Sequence, residues 1–482
     1  MKNYINKEIE DLIVSRDKSI GYTLRKIQKN GYGTLFIVND RIKLLGILTD
    51  GDIRKAIIKG ASIKDSIKKY YNREVSFLPY NSNNQTIQNL LSSRIKIVPL
   101  VNNRKVVVDF ATPERIKKIP ISESFIFGKE YLYVKKCLDT NWLSSRGPFV
   151  TIFEKKFEKY LSRKSLAVSS GTTGIELALR SLNLEKNDEI IIPVLTFAAT
   201  VNSIINAGLK PIFIDSKKDE FNIDENQIEK KITKKTKAIM VVHLYGRPCN
   251  MKKILKIAKK RKLILLEDCA EAIGSTIGKK RVGSFSDISI FSFFGNKTIT
   301  TGEGGMVCFK STKHFKRASL LRDHGMNKKK KYWHDLVGHN FRLTNLQAAI
   351  GCAQFEKLNQ IVKKKIFISN LYKKYLSNKN IMIIKDNKNI INSHWLFCFF
   401  LKNIQNYNER DGFLEKLNEQ GIEGRNVFYP LNSMEIYKEF SKGKKFPNAE
   451  KFSKKGICLP TSYQLNEYDI KRICKTINSI LD

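Results

Sequence analysis

Apolar positions along the chain fall into two regimes. Through residue 118 the apolar runs are short and come as a weak repeat of about 60 residues. The first copy passes from Val14-Ser15 through a helical stretch at 22–29 to Leu35-Phe36-Ile37-Val38, a turn at Asn39-Asp40, and Leu45-Gly46-Ile47-Leu48-Thr49-Asp50-Gly51-Asp52. The second copy has Val75-Ser76, a helical stretch at 85–91, Val98-Pro99-Leu100-Val101, the turn Asn102-Asn103, and a strand-like run at 106–112, so that Thr49 and Thr112 occupy equivalent places. Residues Thr112 to Ser124 are polar, contain Pro113 and Pro120, and read as a linker. From about Phe125 onward, strand-length apolar runs at 189–193, 210–214, 237–242, 263–266 and 289–294 alternate with amphipathic stretches such as 228–232 and 251–260. That alternation predicts an α/β architecture, a largely parallel sheet covered by helices.

Composition narrows the class. The 482 residues exceed one ordinary domain, and 42% hydrophobic with 28% charged residues is globular composition. The weakly polar stretch Ile190–Ala207 is interrupted by Pro193, Thr196, Thr200, Asn202 and Ser203 and is not a membrane span. The start, MKNYINKEIEDLIV, has no apolar signal core, so a cytoplasmic protein is expected, without membrane insertion. Lys and Arg outnumber Asp and Glu by 87 to 46, a net charge of +41. Nucleic acid, an anionic surface or anionic small substrates would each suit that charge. The lysines are scattered, the densest cluster being Lys328–Lys331, and zinc-finger spacing and an aromatic–basic RNA signature are both missing. A basic nucleic-acid-binding protein with a relic cofactor site is therefore the weaker alternative. The eight cysteines show no CxxC spacing and read as buried free thiols in a reducing compartment, with no metal site expected.

The candidate chemistry lies in four segments. Phe291-Ser292-Phe293-Phe294-Gly295-Asn296-Lys297-Thr298 ends an apolar strand in Ser and a small-residue turn that carries one Lys, before the Gly-rich stretch 302–305. Such a lysine can form a Schiff base. Ser169-Ser170-Gly171-Thr172-Thr173-Gly174 enters a helix and offers N–H groups and hydroxyls to a phosphate. Leu263-Ile264-Leu265-Leu266 runs into Glu267-Asp268, followed by Cys269-Ala270-Glu271, which puts a carboxylate at the C-terminal end of a buried strand. Pro193-Val194-Leu195-Thr196-Phe197 ends another strand in an aromatic that can stack on a flat ring. Each segment alone is an ordinary helix cap, core residue or surface lysine. Together they make the set that pyridoxal 5'-phosphate needs: a phosphate cradle, a ring-nitrogen partner, a stacking aromatic and a Schiff-base lysine.

The order and spacing of these segments over residues 122–482 resemble the DegT/DnrJ/EryC1/StrS sugar-nucleotide aminotransferases, of fold type I. Glu267–Ala272, Phe291–Met306, Tyr332-Trp333-His334-Asp335 and Gly338-x-Asn340-Phe341-Arg342-Leu343-Thr344 carry the likeness. The stretch from Phe294 to Gly305, Tyr332–Asp335 and Val427-Phe428-Tyr429-Pro430 resemble the GDP-perosamine synthase branch, while Asn432 and His339 depart from it at places where His and Tyr are usual. The resemblance implies transfer of the amino group of L-glutamate to C4 of a 4-keto-6-deoxy sugar nucleotide, GDP-4-keto-6-deoxymannose, to give GDP-perosamine for surface glycans such as O-antigen lipopolysaccharide. UDP-linked 4-amino sugar synthesis is the alternative. It implies Lys297 and Asp268 as catalytic residues, with Gly171, Thr172 and Ser292 on the cofactor phosphate. Phe197 would cover the ring, Glu271 would lie near its phenolic oxygen, and Asn340 would reach the neighbouring subunit's cofactor in a homodimer, or in a tetramer. Trp142, Ser144, Ser145 and Tyr429 are implied near the sugar nucleotide.

Residues 1–118 resemble a tandem pair of CBS domains through Gly46-x-x-Thr49-x-x-Asp52, which implies an adenine nucleotide at Thr49 and Asp52. The second copy has Asp109 and Arg115 in place of Gly46 and Asp52. The expected organisation is a CBS pair over 1–118, a large cofactor-binding domain over 119–370 and a small α/β domain over 371–482.

Overall fold

Each half of the amino-terminal repeat forms a three-stranded sheet of the same design. In the first, β1 (Ile13–Ser15) runs parallel to β2 (Thr34–Val38), which pairs antiparallel with β3 (Leu44–Thr49). In the second, β4 (Leu78–Pro79), β5 (Val98–Val101) and β6 (Val107–Ala111) repeat that order and those directions. The registers coincide. Gly46 sits opposite Ile37 and Asp109 opposite Leu100, and both ladders slip one residue later, at Val38 and Val101. The computed structural model describes residues 7–80, 82, 84–92, 94–113 and 119–482, so Arg115 lies outside the described residues. A shared core of Leu12, Phe36, Val38, Val101, Val107 and Phe110 joins the two halves. The chain divides into two compact units, 1–119 and 120–482.

In the second unit, β7 (Lys164–Val168), β8 (Glu189–Pro193), β9 (Lys210–Ile214), β10 (Thr236–Val242) and β11 (Ile264–Asp268) belong to a seven-stranded sheet. The short β12 (Thr276–Ile277) and β13 (Lys280–Arg281) lie outside it, and β14 (Ile288–Ser292) and β15 (Gly305–Phe309) complete it. The order is β7-β15-β14-β11-β10-β8-β9. Neighbours from β14 to β9 are parallel, and β15 alone runs against both its neighbours. Both faces of the sheet are covered. Ile190, Ile192, Met240, Leu266 and Ile290 join the core under the helix Gly171–Ser181. Ile191, Ile239, Val241 and Leu265 join the core under the helix Met251–Arg261. Burial of successive residues on opposite faces is why these strands read as unbroken apolar runs. The amphipathic stretch expected as a helix at 228–232 is instead a short helix, Glu225–Ile228, closing in a 3-10 turn, Glu229–Lys231.

β16 (Ile381–Met382), β18 (Phe397–Leu401), β19 (Arg425–Asn426) and β20 (Gly456–Leu459) form a four-stranded antiparallel sheet, and β17 (Ile390–Ile391) pairs with β12. The helix Leu358–Tyr375 runs without a break through position 370, and the four-stranded sheet belongs to the same compact unit as the seven-stranded one. Among the described residues no helix is long and apolar enough to cross a membrane.

Candidate active site

The C-terminal ends of the parallel strands open into a cavity of about 410 Å3, where open α/β sheets place their ligands. On one side, β7 gives way to Ser169-Ser170 and the helix Gly171–Ser181. Ser170 Oγ accepts the Thr173 N–H at 3.1 Å and Thr173 Oγ1 accepts the Ser170 N–H at 3.0 Å, a reciprocal cap that fixes the helix start. Gly171 and Thr172 then line the cavity beside Ser292, the last residue of β14. A Cβ on Gly171 would stand 2.8 Å from Ser292 Cβ, so the absence of a side chain is what lets the helix start meet that strand end.

Asp268 closes β11 on the face that Leu266 shares with the helix Gly171–Ser181, and it is only 4% exposed. Its Oδ1 accepts the Ala270 N–H at 3.0 Å and its Oδ2 accepts the Thr200 hydroxyl at 3.2 Å. Burial raises the Asp268 carboxyl above its ordinary value, although the Ala270 N–H, the Lys297 ammonium and Thr200 pull the other way. Glu267 points to the opposite face and is fully buried. It accepts N–H groups of Gly283, Phe285 and Ser286 at 2.8–3.0 Å. His243 Nδ1 accepts the Cys249 N–H at 3.0 Å, which leaves the ring proton on Nε2, 3.2 Å from Glu267 Oε1. Burial raises the Glu267 carboxyl, but the hydrogen bonds from His243, Gly283 and Ser286 more than offset it and the net shift is downward. His243, Glu267 and Cys269 cluster closely. The lone pairs of the His and the Glu are already taken by these donors, so the cluster anchors the strand end that carries Asp268.

Lys297 Nζ lies 3.4 Å from Glu271 Oε1 and 3.6 Å from the centre of the Trp395 ring. Glu271 is buried, accepts the Tyr245 N–H at 2.7 Å, and has its carboxyl raised by burial against the opposing pull of Lys297. Tyr245 holds a left-handed backbone (φ 54°), a strained conformation for a bulky side chain that delivers this N–H to the site. Phe197 caps the next helix start and borders the cavity opposite Phe428, their ring centres 5.8 Å apart.

Seven residues singled out from the sequence thus share one cavity: Gly171, Thr172, Phe197, Asp268, Glu271, Ser292 and Lys297. Five others lie outside it. Trp142 and Ser144 are exposed and Ser145 is half-buried, in a loop pinned by Asn345, whose amide donates to the Trp142 carbonyl at 2.6 Å. Asn340 is exposed and accepts from Arg342 Nε at 2.9 Å. The Tyr429 hydroxyl accepts from Arg410 at 2.7 Å, and its neighbour Phe428 lines the cavity instead. The sequence reading missed Thr200, Trp395, Phe428 and Arg425, all in the cavity wall. Thr200 had a legible signal, one helical turn after Thr196 at a strand end. Trp395 had none.

Comparison with known proteins gives this arrangement a family. Residues 126–478 match the model of the DegT/DnrJ/EryC1/StrS aminotransferase family, and residues 4–59 match a CBS domain. The chain belongs to that aminotransferase family and is a transaminase. It is 42% identical over 364 residues to a GDP-perosamine synthase of Escherichia coli O157:H7, covering 75% of this chain and 98% of that protein. A GDP-perosamine synthase of Vibrio cholerae is 38% identical over 363 residues, with 75% and 98% covered. Among solved structures, the Helicobacter pylori aminotransferase PseC, involved in biosynthesis of pseudoaminic acid, superposes with a TM-score of 0.72 at 28% identity, covering 75% of this chain and 99% of that one. The PLP-form of Spr1654 from Streptococcus pneumoniae, described as a sugar aminotransferase, gives 0.71 at 25% identity, with 75% and 98% covered.

Pyridoxal 5'-phosphate is the cofactor of the family, and the residues present fit it. Asp268 is a buried carboxylate whose hydrogen-bond partners are neutral, which suits a cationic ring nitrogen. Asn296 Oδ1, beside Lys297 in the cavity wall, is a buried polar atom without a partner. Gly171 and Thr172, at a helix start, line the cavity beside Ser292, where the N–H groups of the first turn suit a phosphate.

Proposed function

We propose that this transaminase moves the amino group of L-glutamate to C4 of a 4-keto-6-deoxy sugar nucleotide, with GDP-4-keto-6-deoxymannose the foremost substrate and GDP-perosamine the product. The carrying observation is one cavity that holds Lys297, the buried Asp268 and the helix start at Gly171 together. Likeness over nearly the full length of two GDP-perosamine synthases supports the choice of sugar.

Bound pyridoxal phosphate supplies an electron sink for the pair released when a C–H bond beside nitrogen breaks. The chain's own residues do the rest. Gly171, Thr172 and Ser292 hold the phosphate at the positive end of a helix. Asp268 keeps a proton on the ring nitrogen through a charge-assisted hydrogen bond. Phe197 covers one face of the ring. Lys297 Nζ takes the proton from Cα of glutamate and, in the second half-reaction, delivers one to C4 of the sugar. Glu271 and the Trp395 face hold that amine in place between the two transfers. Arg425 is the second basic side chain in the cavity wall and suits an anionic substrate group.

Asn340 and the 142–145 loop lie away from their own chain's cavity, which is the arrangement a homodimer with shared sites requires. Tyr131 and Val337, 74% and 91% exposed, are apolar surface that a second copy would cover. Eight free cysteines accord with a reducing cytoplasm. At the amino terminus, the proposed adenine nucleotide would meet the start of the helix Asp50–Ile58, where Thr49 and Asp52 already form a reciprocal cap. Gly46 has a second reason to be glycine, since a Cβ there would collide with the Asn72 carbonyl and the Tyr71 ring.

The test is incubation of the loaded enzyme with L-glutamate and a panel of GDP- and UDP-linked 4-keto-6-deoxy sugars, read by mass. Conversion of the GDP-4-keto-6-deoxymannose keto group to an amine supports the reading. Amination of UDP-linked sugars alone moves the function to that branch, and no amination of any member refutes it.

A further inference from the structure

A second lysine stands behind the first. Lys365, on the helix Leu358–Tyr375, is 3% exposed. Its Nζ donates to the Trp395 carbonyl at 3.1 Å, the Thr461 carbonyl at 3.1 Å and Thr461 Oγ1 at 3.0 Å. None of these acceptors is a carboxylate, and burial pushes the amine down to about 7. A buried amine that meets only neutral oxygens is a costly way to fill a core, where an apolar side chain of the same length would pack as well. Its position suggests what the arrangement does. Thr461 Oγ1 also donates to the Trp395 carbonyl, at 2.6 Å, so two donors converge on that one oxygen. On the far side of the same residue, the indole N–H donates to the Asn296 carbonyl at 2.7 Å, one residue before Lys297, and the ring lies under Lys297 Nζ at 3.6 Å. Tyr245 stacks parallel to that ring at 6.0 Å and gives its N–H to Glu271. Lys297 and Lys365 also border one small cavity of about 20 Å3, together with Thr298, whose buried hydroxyl has no partner.

We propose that Lys365 is a positioning residue for Lys297, acting through Trp395. Its amine fixes the Trp395 backbone, the indole fixes the loop at Asn296, and the ring face holds the reacting amine. The inference rests on the proposed role of Lys297, but its first readout does not.

Lys365→Met keeps the length and removes the donors, and Lys365→Gln keeps a donor. In cofactor-free protein carrying Trp142→Phe and Trp333→Phe, Trp395 is the sole indole, and its acrylamide quenching reports its burial. The expected result is a quenching constant raised at least twofold in the Met variant and less in the Gln variant. In the loaded enzyme with native Trp142 and Trp333, kcat should fall about tenfold in the Met variant, the worth of one such hydrogen bond, with KM for L-glutamate within about twofold. The Gln variant should recover part of that loss. Unchanged quenching together with unchanged kcat overturns the proposal. So does a fall in kcat that only tracks a fall in folded protein by circular dichroism. Should the Met variant not fold, the Gln variant alone decides, by the same two readouts. Turnover by Lys297→Ala would instead refute the role of Lys297 and leave the quenching result standing.

Discussion

Replacing Asp268 by Asn should push folding and chemistry in opposite directions. Burial raises the Asp268 carboxyl above its ordinary value. An acid with a raised folded pKa holds its proton more tightly in the fold than in the unfolded chain. Stability is therefore lost as pH climbs from the unfolded pKa through the folded one, and stays lower at neutral pH. Asparagine keeps an oxygen for the Ala270 N–H and an amide for the Thr200 hydroxyl, with no charge to desolvate. Cofactor-free Asp268→Asn should gain about 0.5–2 kcal/mol at pH 7, the range for relieving one such defect. That is a rise in Tm of roughly 2–4 °C per kcal/mol or less in a chain this long. The gain should vanish in acid, where both side chains are neutral. Catalysis should move the other way. One charge-assisted hydrogen bond is worth about 1.5–3 kcal/mol, so kcat should fall about 10- to 100-fold at least. Scanning calorimetry across pH and single-turnover kinetics with L-glutamate measure the two effects. A lower Tm at neutral pH together with unchanged turnover would show that Asp268 is an ordinary structural carboxylate.

Three further substitutions test other parts of the account. Gly171→Ala puts a methyl 2.8 Å from Ser292 Cβ and should cost about 1–3 kcal/mol while weakening cofactor binding, measured by titration of the cofactor-free protein; unaltered affinity would place the phosphate elsewhere. Glu267→Gln turns an amide N–H2 toward donors that now meet a carboxylate and should cost about 3–5 kcal/mol by denaturant unfolding, whereas a loss under about 1 kcal/mol would contradict the anchoring role. Thr49→Ala removes the cap of the helix Asp50–Ile58 and should cost that helix about 1 kcal/mol, seen as faster amide exchange at its first turn. AMP should raise the Tm of the native protein more than that of this variant, and equal melting with and without AMP or ATP in the native protein rules out the adenine-nucleotide reading.

What was legible in the sequence was whatever lies close together along the chain. Asp268 could be read because an apolar run of strand length ends on it, and Gly171 because small residues precede a helical pattern. The two halves of the amino-terminal repeat share one pattern along the chain, and the ladders place Gly46 and Asp109 in equivalent registers. Contacts made by distant segments could not be read. Trp395 reaches Lys297 only because the small sheet packs against the strand ends, about a hundred residues further on. Lys365 looked like one lysine among many, since burial is a property of the assembled helix and leaves no local mark. The helix expected at 228–232 failed for a related reason, because an amphipathic pattern of five residues is too short to choose between an α-helix and a 3-10 turn.

The central claim is that Lys297, in the cavity it shares with Asp268, is the amine that engages pyridoxal phosphate. Loading the purified protein with the cofactor, reducing it with borohydride, digesting it and mapping the added mass tests that claim directly. A phosphopyridoxyl increment on the peptide carrying Lys297, lost in Lys297→Ala and spared in Lys365→Gln, is the predicted result. An increment on Lys365, a label spread over surface lysines, or no label at all would contradict it.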